Sequence, residues 1–349
     1  MQIEKLYLQY FRNYTSRLIT FKPGVNVLIG KNAVGKTNVL EAVYLLATGE
    51  SFRAQKIDEM VAWNYEVTHL GAKVVNKHGE ADLKVILTRG IVAGEKARKR
   101  QFLVNDVARQ KQTFTGNLAV VAFLPADLLL ISGTPGIRRR YMDGVLSQAD
   151  KEYARSLQSY EKGLRRRNKL LDMIREGQVQ KSTLVYWDHL LIREGAVLTD
   201  KRREWADFLN EQSETTRLVY DYSAISEGRL AQYEKEEVMV GYTMVGPHKD
   251  DFSLETKHRA DTAKWRDLAT YGSRGEQRMG VLWLKKCEMA FTEGRIGEKP
   301  VLLLDDIFSE LDSEHEALVW QMAEQSQTII TTSDELPKTQ RKLHLMQLG

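Results

Sequence analysis

The sequence predicts an α/β protein, a mixed sheet with helices that is interrupted by a helical insertion and closed by its own C-terminal third. Three observations predict it. Residues 1 to about 125 carry short alternating apolar patterns separated by turns. From about 126 to 235 strand signals nearly vanish and helical spacing replaces them. The run Val301-Leu302-Leu303-Leu304 then has the continuous apolar character of a parallel strand buried on both faces. The expected organisation is a discontinuous head, residues 1–125 and 236–349, with residues 126–235 as a helical insertion or arm. A chain of 349 residues suggests about two domains, and an apolar content of 42% is ample to build them.

Leu6, Leu8 and Tyr10 alternate as in a half-buried strand, and Phe21-Lys22-Pro23-Gly24 makes a turn. Val25, Val27 and Ile29 alternate again and lead into Gly30 to Thr37, after which Val39 to Ala47 repeats with helical period. Leu70 to Val75 and Ala81 to Leu87 read as further strands. In the insertion, Tyr153, Leu157, Tyr160 and Leu164, then Leu170, Leu171 and Ile174, fall at helical spacing. Strand-like segments resume near Val238 to Met244, a helix follows Gly275, and Thr328 to Thr331 forms another strand. There is no internal repeat, low-complexity tract or sustained heptad array. Helices confined to about 110 residues cannot build a long coiled coil.

Met1-Gln2-Ile3-Glu4-Lys5 places charges where a signal peptide needs apolar residues, and no run approaches the roughly 18 apolar residues of a membrane span. A cytoplasmic protein with no membrane partner is expected. The single cysteine, Cys287, cannot pair within the chain or anchor a cysteine-rich zinc site, and its neighbours resemble the buried side of a helix. The net charge of +4 is too mild to argue for nucleic acid by itself. Its distribution says more. Basic residues cluster at Lys96 to Arg100, Arg138 to Arg140, Arg165 to Lys169 and Lys201 to Arg203, and acidic ones at Glu234 to Glu237 and Asp305 to Glu316. That segregation is able to give one positive face, although each cluster alone also fits a solvated helix surface.

The octapeptide Gly30-Lys31-Asn32-Ala33-Val34-Gly35-Lys36-Thr37 stands between a strand pattern and a helix pattern, the context of a phosphate-binding P-loop. Two glycines let consecutive backbone N–H groups converge on phosphates, Lys36 brings a compact charge to the outer phosphates, and Thr37 offers a hydroxyl to Mg2+. A chance glycine-containing loop would need neither neighbour. Val301 to Leu304 delivers Asp305 and Asp306 at the end of a strand, a Walker B pattern: Asp305 as the magnesium carboxylate, Asp306 as the group that polarises the attacking water. Alone, those carboxylates would also suit a strand ending in an acidic turn.

Ser273-Arg274-Gly275-Glu276-Gln277 precedes the helical stretch Met279 to Ala290 and resembles the signature sequence of the ABC ATPase superfamily; Ser309-Glu310-Leu311-Asp312 resembles its D-loop. A serine hydroxyl, a glycine N–H and a helix N-terminus form an anion site, and the superfamily resemblance implies that the phosphate held there belongs to the opposite subunit. Hydrolysis then requires a dimer. A plain helix cap, with Glu276 and Gln277 in the first turn, is the other meaning of the same residues.

Further segments narrow the resemblance to one family. Phe11-Arg12-Asn13-Tyr14, the loop continuation Lys36-Thr37-Asn38-Val39-Leu40-Glu41-Ala42, Ser51-Phe52-Arg53, Gly136 to Asp143 and Gly246-Pro247-His248-Lys249-Asp250-Asp251 all resemble the RecF family of bacterial recombination mediators, over nearly the whole chain. The resemblance implies an ABC/SMC-like P-loop ATPase head with a helical arm. It places ATP on Gly30 to Asn38, with Arg12 at phosphate and Asn13 at the base, and Mg2+ on Thr37 and Asp305. Lys36 and Asp306 carry catalysis, and Ser273, Gly275 and Glu276 complete the site across a homodimer. It also implies weak DNA-stimulated ATPase activity and salt-sensitive phosphate contacts to double-stranded DNA and single-strand/double-strand junctions. RecR is the implied partner, with RecO and RecA in the pathway and a link to the SOS response, and the location is the cytoplasm at the nucleoid.

Arg53 is a candidate for sensing nucleotide or DNA and equally suits a surface loop. His248, Asp250 and Asp251 could be mistaken for a metal site, but structural support is the expected role. Ala33 stands where many relatives carry glycine and should be tolerated if its backbone angle suits a Cβ. Thr332-Ser333-Asp334 lies where transporter ATPases place a histidine, and a hydroxyl or Asp334 would substitute for it. No Gln-loop residue is assigned; Val120 to Pro125 is the corresponding connection. A nucleotide-binding subunit of another ABC-type assembly is the alternative, and a monomeric phosphotransferase would need neither Ser273 nor the D-loop.

Overall fold

Leu6 and Leu8 point inward from the strand Gln2–Phe11 while Tyr7 and Gln9 face out, so the sequence alternation is a real sheet period. In this computed structural model the described residues are 1–258, 261–310, 313–333 and 342–348. The chain divides into two compact units, residues 1–127 with 288–349, and residues 128–287.

Among the described residues, the first unit holds, besides a two-stranded ribbon of Ile91–Val92 with Glu95–Lys96, two main sheets. One is antiparallel, in the order Tyr14–Thr20, Gln2–Phe11, Val67–Asn76, Gly79–Thr88, Arg100–Val104, Val107–Arg109. The other is parallel, in the order Val120–Phe123, Val301–Asp305, Thr328–Thr332, Val25–Ile29, Leu343–Gln347. The helix Lys36–Thr48 joins one core with residues of both sheets. Its Val39, Leu40, Ala42, Val43, Leu45, Leu46 and Ala47 are each 0% exposed. A helix apolar on nearly every side belongs inside, and each large apolar side chain buried this way contributes about 1.5–3 kcal/mol. Gly49, in the left-handed region at φ 73, ends it by donating its N–H to Leu45 O at 2.8 Å.

The second unit packs the helices Pro135–Ala149, Lys151–Arg175, Val185–Asn210 and Glu227–Val240 with the antiparallel strands Thr216–Asp221, Asp251–His258 and Asp261–Asp267. Asp150 caps Lys151–Arg175 by accepting from the Glu152 and Tyr153 amides. Tyr153, Tyr160, Leu191, Leu198, Trp205 and Phe252 are all buried.

Three expectations differ from this arrangement. The segment Val238 to Met244, expected as strand-like, is the last turn of Glu227–Val240 and its exit: Ser226 caps the helix start and Gly241, at φ 77, ends it. The strand Thr216–Asp221 lies inside the stretch expected to be helical, held by six register pairs to Asp251–His258. Residues 236–287, expected with the head, fall in the second compact unit, whose boundary lies inside the helix Arg274–Ile296. The shared sheet explains this, because Thr216–Asp221 recruits strands that follow it in sequence.

Candidate nucleotide-binding site

In parallel α/β sheets, ligands collect at the carboxyl ends of the strands. The register sets Asp305 beside Thr331, and Thr331 beside Leu28, two residues before Gly30. There Thr37 Oγ1 donates to Asp305 Oδ1 at 2.9 Å, and Thr331 Oγ1 donates to the same oxygen at 2.6 Å. The two groups expected to share magnesium, 268 residues apart in sequence, are thus neighbours.

The loop between strand and helix is shaped by its glycines. Gly35 has φ 110, and a Cβ there would sit 2.8 Å from the Asn13 amide and from the Tyr14 hydroxyl. A Cβ on Gly30 would sit 2.5 Å from Leu348 O. Ala33 adopts φ 67, so a residue with a Cβ occupies the left-handed region there at some cost. Lys36 is 8% exposed, and its Nζ donates to Gly30 O at 2.5 Å and Lys31 O at 3.1 Å. The helix Lys36–Thr48 begins with no side-chain cap and no acidic residue in its first turn. Its leading N–H groups are therefore oriented for an external anion. Asp306 follows Asp305 at φ 50, with its N–H directed to Thr331 O at 3.1 Å.

Arg12 and Asn13, expected at phosphate and base, are both bound to protein groups. Arg12 forms a two-pronged pair with Glu41, at 2.9 and 2.6 Å, and donates to Glu59 O at 2.5 Å. Arg53 joins the same carboxylate at 3.0 and 2.9 Å, and the Ser51 hydroxyl donates to it at 2.6 Å. Burial alone would push the Glu41 carboxyl up, but the Arg12, Ser51 and Arg53 hydrogen bonds hold it below its ordinary value. Asn13 donates to Val34 O at 3.0 Å and accepts from Asn38 at 2.6 Å; Asn38 in turn accepts from Arg53. Arg12, Asn13, Asn38, Arg53, Val61 and Trp63 line a cleft of about 470 Å³ beside the loop. Trp63 was not singled out from sequence, and Tyr14 and Glu41 were named only within the RecF-like segments, with no role given to either. A carboxylate inside the apolar stretch Val39 to Ala47 was the available signal for Glu41; for Trp63 there was none.

Ser273, Gly275 and Glu276 are exposed in the second unit, and a Cβ on Gly275 would meet nothing within 4 Å. Ser273 and Glu276 form a reciprocal cap. Ser273 N and Oγ each donate to Glu276 Oε2 at 2.8 Å, and Glu276 N donates to Ser273 Oγ at 3.3 Å. Ser309 and Glu310 lie in the short 3₁₀ turn Ile307–Glu310 after Asp306, while Leu311, Asp312 and Asp334 lie outside the described residues. Val120–Phe123 pairs in parallel with Val301–Asp305, and no glutamine stands in Val120 to Pro125.

The family model described as the RecF/RecN/SMC N-terminal domain matches residues 2–344. The DNA replication and repair protein RecF of Symbiobacterium thermophilum is 36% identical over 361 residues, covering 96% of this chain and 92% of that protein. The protein of the same name from Halothermothrix orenii is 35% identical over 362 residues, with the same two coverages of 96% and 92%. The chain belongs to the RecF family. A solved structure of the recombination mediator protein RecF-ATP in the RecFOR pathway superposes with a TM-score of 0.83 at 30% identity, covering 95% of this chain and 92% of that one. The fold is accordingly the α/β ABC/SMC-like ATPase head of that family, with no long coiled coil evident among the described residues.

Two other RecF-like segments acquire physical content. Arg202, 2% exposed, donates to Asp143 and Asp250 at 2.7 Å each, to Pro247 O at 2.8 Å and to the Tyr153 hydroxyl at 2.9 Å. Tyr220 and the Ser223 amide also donate to Asp250, and Arg138 pairs with Asp251 at 2.6 and 2.8 Å. Gly246 to Asp251 thus lies within a buried ionic lattice. Among the described residues no group of three or more His, Cys, Asp or Glu is arranged to hold a metal ion. The basic clusters also divide. Arg138, Arg139, Arg167 and Arg202 are committed to carboxylates or carbonyls, whereas Arg140, Arg165, Arg166, Lys169 and Arg203 are exposed. No helix among the described residues is long and apolar enough to cross a membrane.

Proposed function

We propose that this RecF-family chain is an ATP-dependent DNA-binding protein of recombinational repair, in which ATP acts as a dimerising ligand. The observation that carries the nucleotide half is the Thr37–Asp305 contact, beside a helix N-terminus that has no side-chain cap. The residues fit the expected ligands: loop N–H groups and Lys36 for the phosphates, Thr37 and Asp305 for Mg2+. Magnesium bound there would neutralise charge developing on the transferred phosphoryl group. Asp306, delivered at the same strand end, would orient and polarise the attacking water. Ser273, Gly275 and the helix start behind them are exposed, which suits completion of the ATP site on a second copy.

In this scheme ATP closes a homodimer on duplex DNA near single-strand gaps, and slow, DNA-stimulated hydrolysis releases it. The bound dimer marks the junction for RecR and RecO, which load RecA and so support SOS induction. Arg140, Arg165, Arg166, Lys169 and Arg203 offer phosphate contacts without a base-reading element, so affinity should fall steeply with salt and depend little on sequence.

Light scattering with and without ATP and duplex DNA, across a salt series, tests both halves. Lys36→Met should weaken triphosphate binding, Ser273→Arg should abolish dimerisation while retaining ATP binding, and Asp306→Asn should trap the closed dimer. A fully active Ser273→Arg protein would sink the composite site.

A further inference from the structure

Trp63 is 88% exposed, the highest value among the exposed large apolar side chains of the described residues. An indole left in water forgoes the transfer free energy that a covering ligand would recover, so what orders it matters. Here the backbone is tightly fixed. The turn Ala62 to Tyr65 is closed by Tyr65 N donating to Ala62 O at 3.2 Å, with Asn64 at φ 64. Arg12 N donates to Met60 O at 3.0 Å, and Ala62 N donates to Tyr10 O at 2.8 Å. Arg89 donates to the carbonyls of Val61, Ala62 and Tyr65, and the Tyr65 ring stacks on Tyr10 at 3.8 Å. An exposed side chain on so constrained a turn is a preorganised platform.

That platform borders the cleft of about 470 Å³ next to the P-loop, within the range of small-ligand sites. The polar groups of the same cleft are engaged with one another. The chain of donors runs from Arg53 to Asn38, from Asn38 to Asn13 and from Asn13 to Val34 O, while Arg12 is held by Glu41. They hold the loop, which leaves ring faces, rather than hydrogen-bonding edges, as the main means of gripping a base.

We infer that Trp63 is the base-stacking residue of the nucleotide cleft and that it grades nucleotides by ring size, purines above pyrimidines. This rests on the nucleotide site proposed above. Stacking on an aromatic side chain tolerates any base but strengthens with ring area.

The test compares ATP, CTP and inorganic triphosphate, each with magnesium, on the intact wild-type chain and on Trp63→Ala and Trp63→Phe, by calorimetry and tryptophan emission. Wild-type protein should bind ATP more tightly than CTP, and ATP but not triphosphate should quench the emission. Trp63→Ala should bind ATP about 10-fold more weakly, lose the ATP over CTP preference and bind triphosphate as before. Trp63→Phe should stay within roughly threefold of wild type for ATP. Unchanged ATP affinity in Trp63→Ala overturns the assignment, as does equal loss of ATP and triphosphate, which would mean that the indole only holds the loop. Wild-type protein that binds neither ligand overturns the nucleotide site itself.

Discussion

Replacing Glu41 should loosen the helix that carries the P-loop and release the two arginines beside it. The carboxylate is 0% exposed and accepts from Arg12 at 2.9 and 2.6 Å, from Ser51 at 2.6 Å and from Arg53 at 3.0 and 2.9 Å. Removing one partner of a buried ion pair costs about 3–5 kcal/mol, because the remaining charge stays desolvated. The Arg12 side chain is 18% exposed and bears most of that cost, whereas Arg53 at 39% is screened and adds little. Glu41→Ala should therefore cost about 3–4 kcal/mol, and Glu41→Gln, which keeps one acceptor oxygen, about 2 kcal/mol. With two compact units a single unfolding free energy is poorly defined, so amide exchange in Lys36–Thr48 is the suitable assay. Exchange through local opening should accelerate roughly 150- to 700-fold in Glu41→Ala, by the factor of ten per 1.4 kcal/mol.

The pH dependence gives a second readout. Burial raises and the Arg12, Ser51 and Arg53 hydrogen bonds lower the Glu41 pKa, with a net value below the ordinary one. The unfolded chain therefore binds a proton first as pH falls. The stabilisation is present above about pH 4.3 and is lost as pH drops through the folded value. Glu41→Gln should lack that acid-limb loss. Exchange in Glu41→Ala within about fivefold of wild type would refute the view that this carboxylate holds the site together.

Ala33→Gly should stabilise the loop by roughly 0.5–1 kcal/mol, since the left-handed cost at φ 67 exceeds the entropy that glycine adds to the unfolded chain; a lower thermal midpoint would contradict this. Glu276→Gln should keep a cap on Ser273 yet remove a carboxylate from an anion seat, lowering the ATP concentration for half-maximal dimerisation by roughly fivefold; weaker dimerisation would count against that competition. His248 is pushed down to about 4, first by burial and then by Lys249, Arg139 and Arg167, against the Thr243 carbonyl contact. Thr243 O can only accept, so Nε2 carries the proton and Nδ1 accepts from Tyr160 at 2.8 Å. The unfolded ring, at about 6.5, protonates first, so about 3 kcal/mol of the second unit's stability should disappear between roughly pH 6.5 and 4, and amide protection in Lys151–Arg175 that stays flat over that window, after correction for intrinsic exchange, would refute it. Arg166→Ala should reduce the salt slope of DNA binding by about 1 without destabilising the fold, and Arg167→Ala should do the reverse, costing about 3–5 kcal/mol.

The strand, glycine-shaped loop and helix around the proposed phosphate site were legible because the chemistry expected there is contiguous. A loop that binds phosphate supplies backbone N–H groups, a cation and a hydroxyl within one turn, so the spacing from Gly30 to Thr37 is itself the geometry proposed for it. The strand Val301–Asp305 was legible for a related reason: a central parallel strand is buried on both faces and reads as unbroken apolar residues. Legibility failed where the deciding contact was remote. Thr216–Asp221 is a strand because Asp251–His258 pairs with it, and Val238 to Val240 ends a helix because Ser226 and Gly241 punctuate it from outside that tripeptide. Trp63 carries no local pattern at all; only the fold brings it to the cleft beside Asn13.

Charge is where sequence and structure diverge most usefully. Runs such as Arg165-Arg166-Arg167 and Lys201-Arg202-Arg203 read as uniform basic patches, yet a helix turns each successive residue by about 100° and sorts the run by direction. Arg167 reaches Asp188 and Glu237, and Arg202 reaches Asp143 and Asp250, while Arg165, Arg166 and Arg203 face solvent. One run therefore does two incompatible jobs, and neither is visible in net charge. The inward arginine fixes where the helix lies by satisfying carboxylates that would otherwise be buried alone, and the helix in turn fixes where its outward neighbours present charge. A surface that binds DNA through phosphates needs that placement more than it needs additional lysines, because contacts made at fixed positions are what set the salt dependence and the register on the duplex.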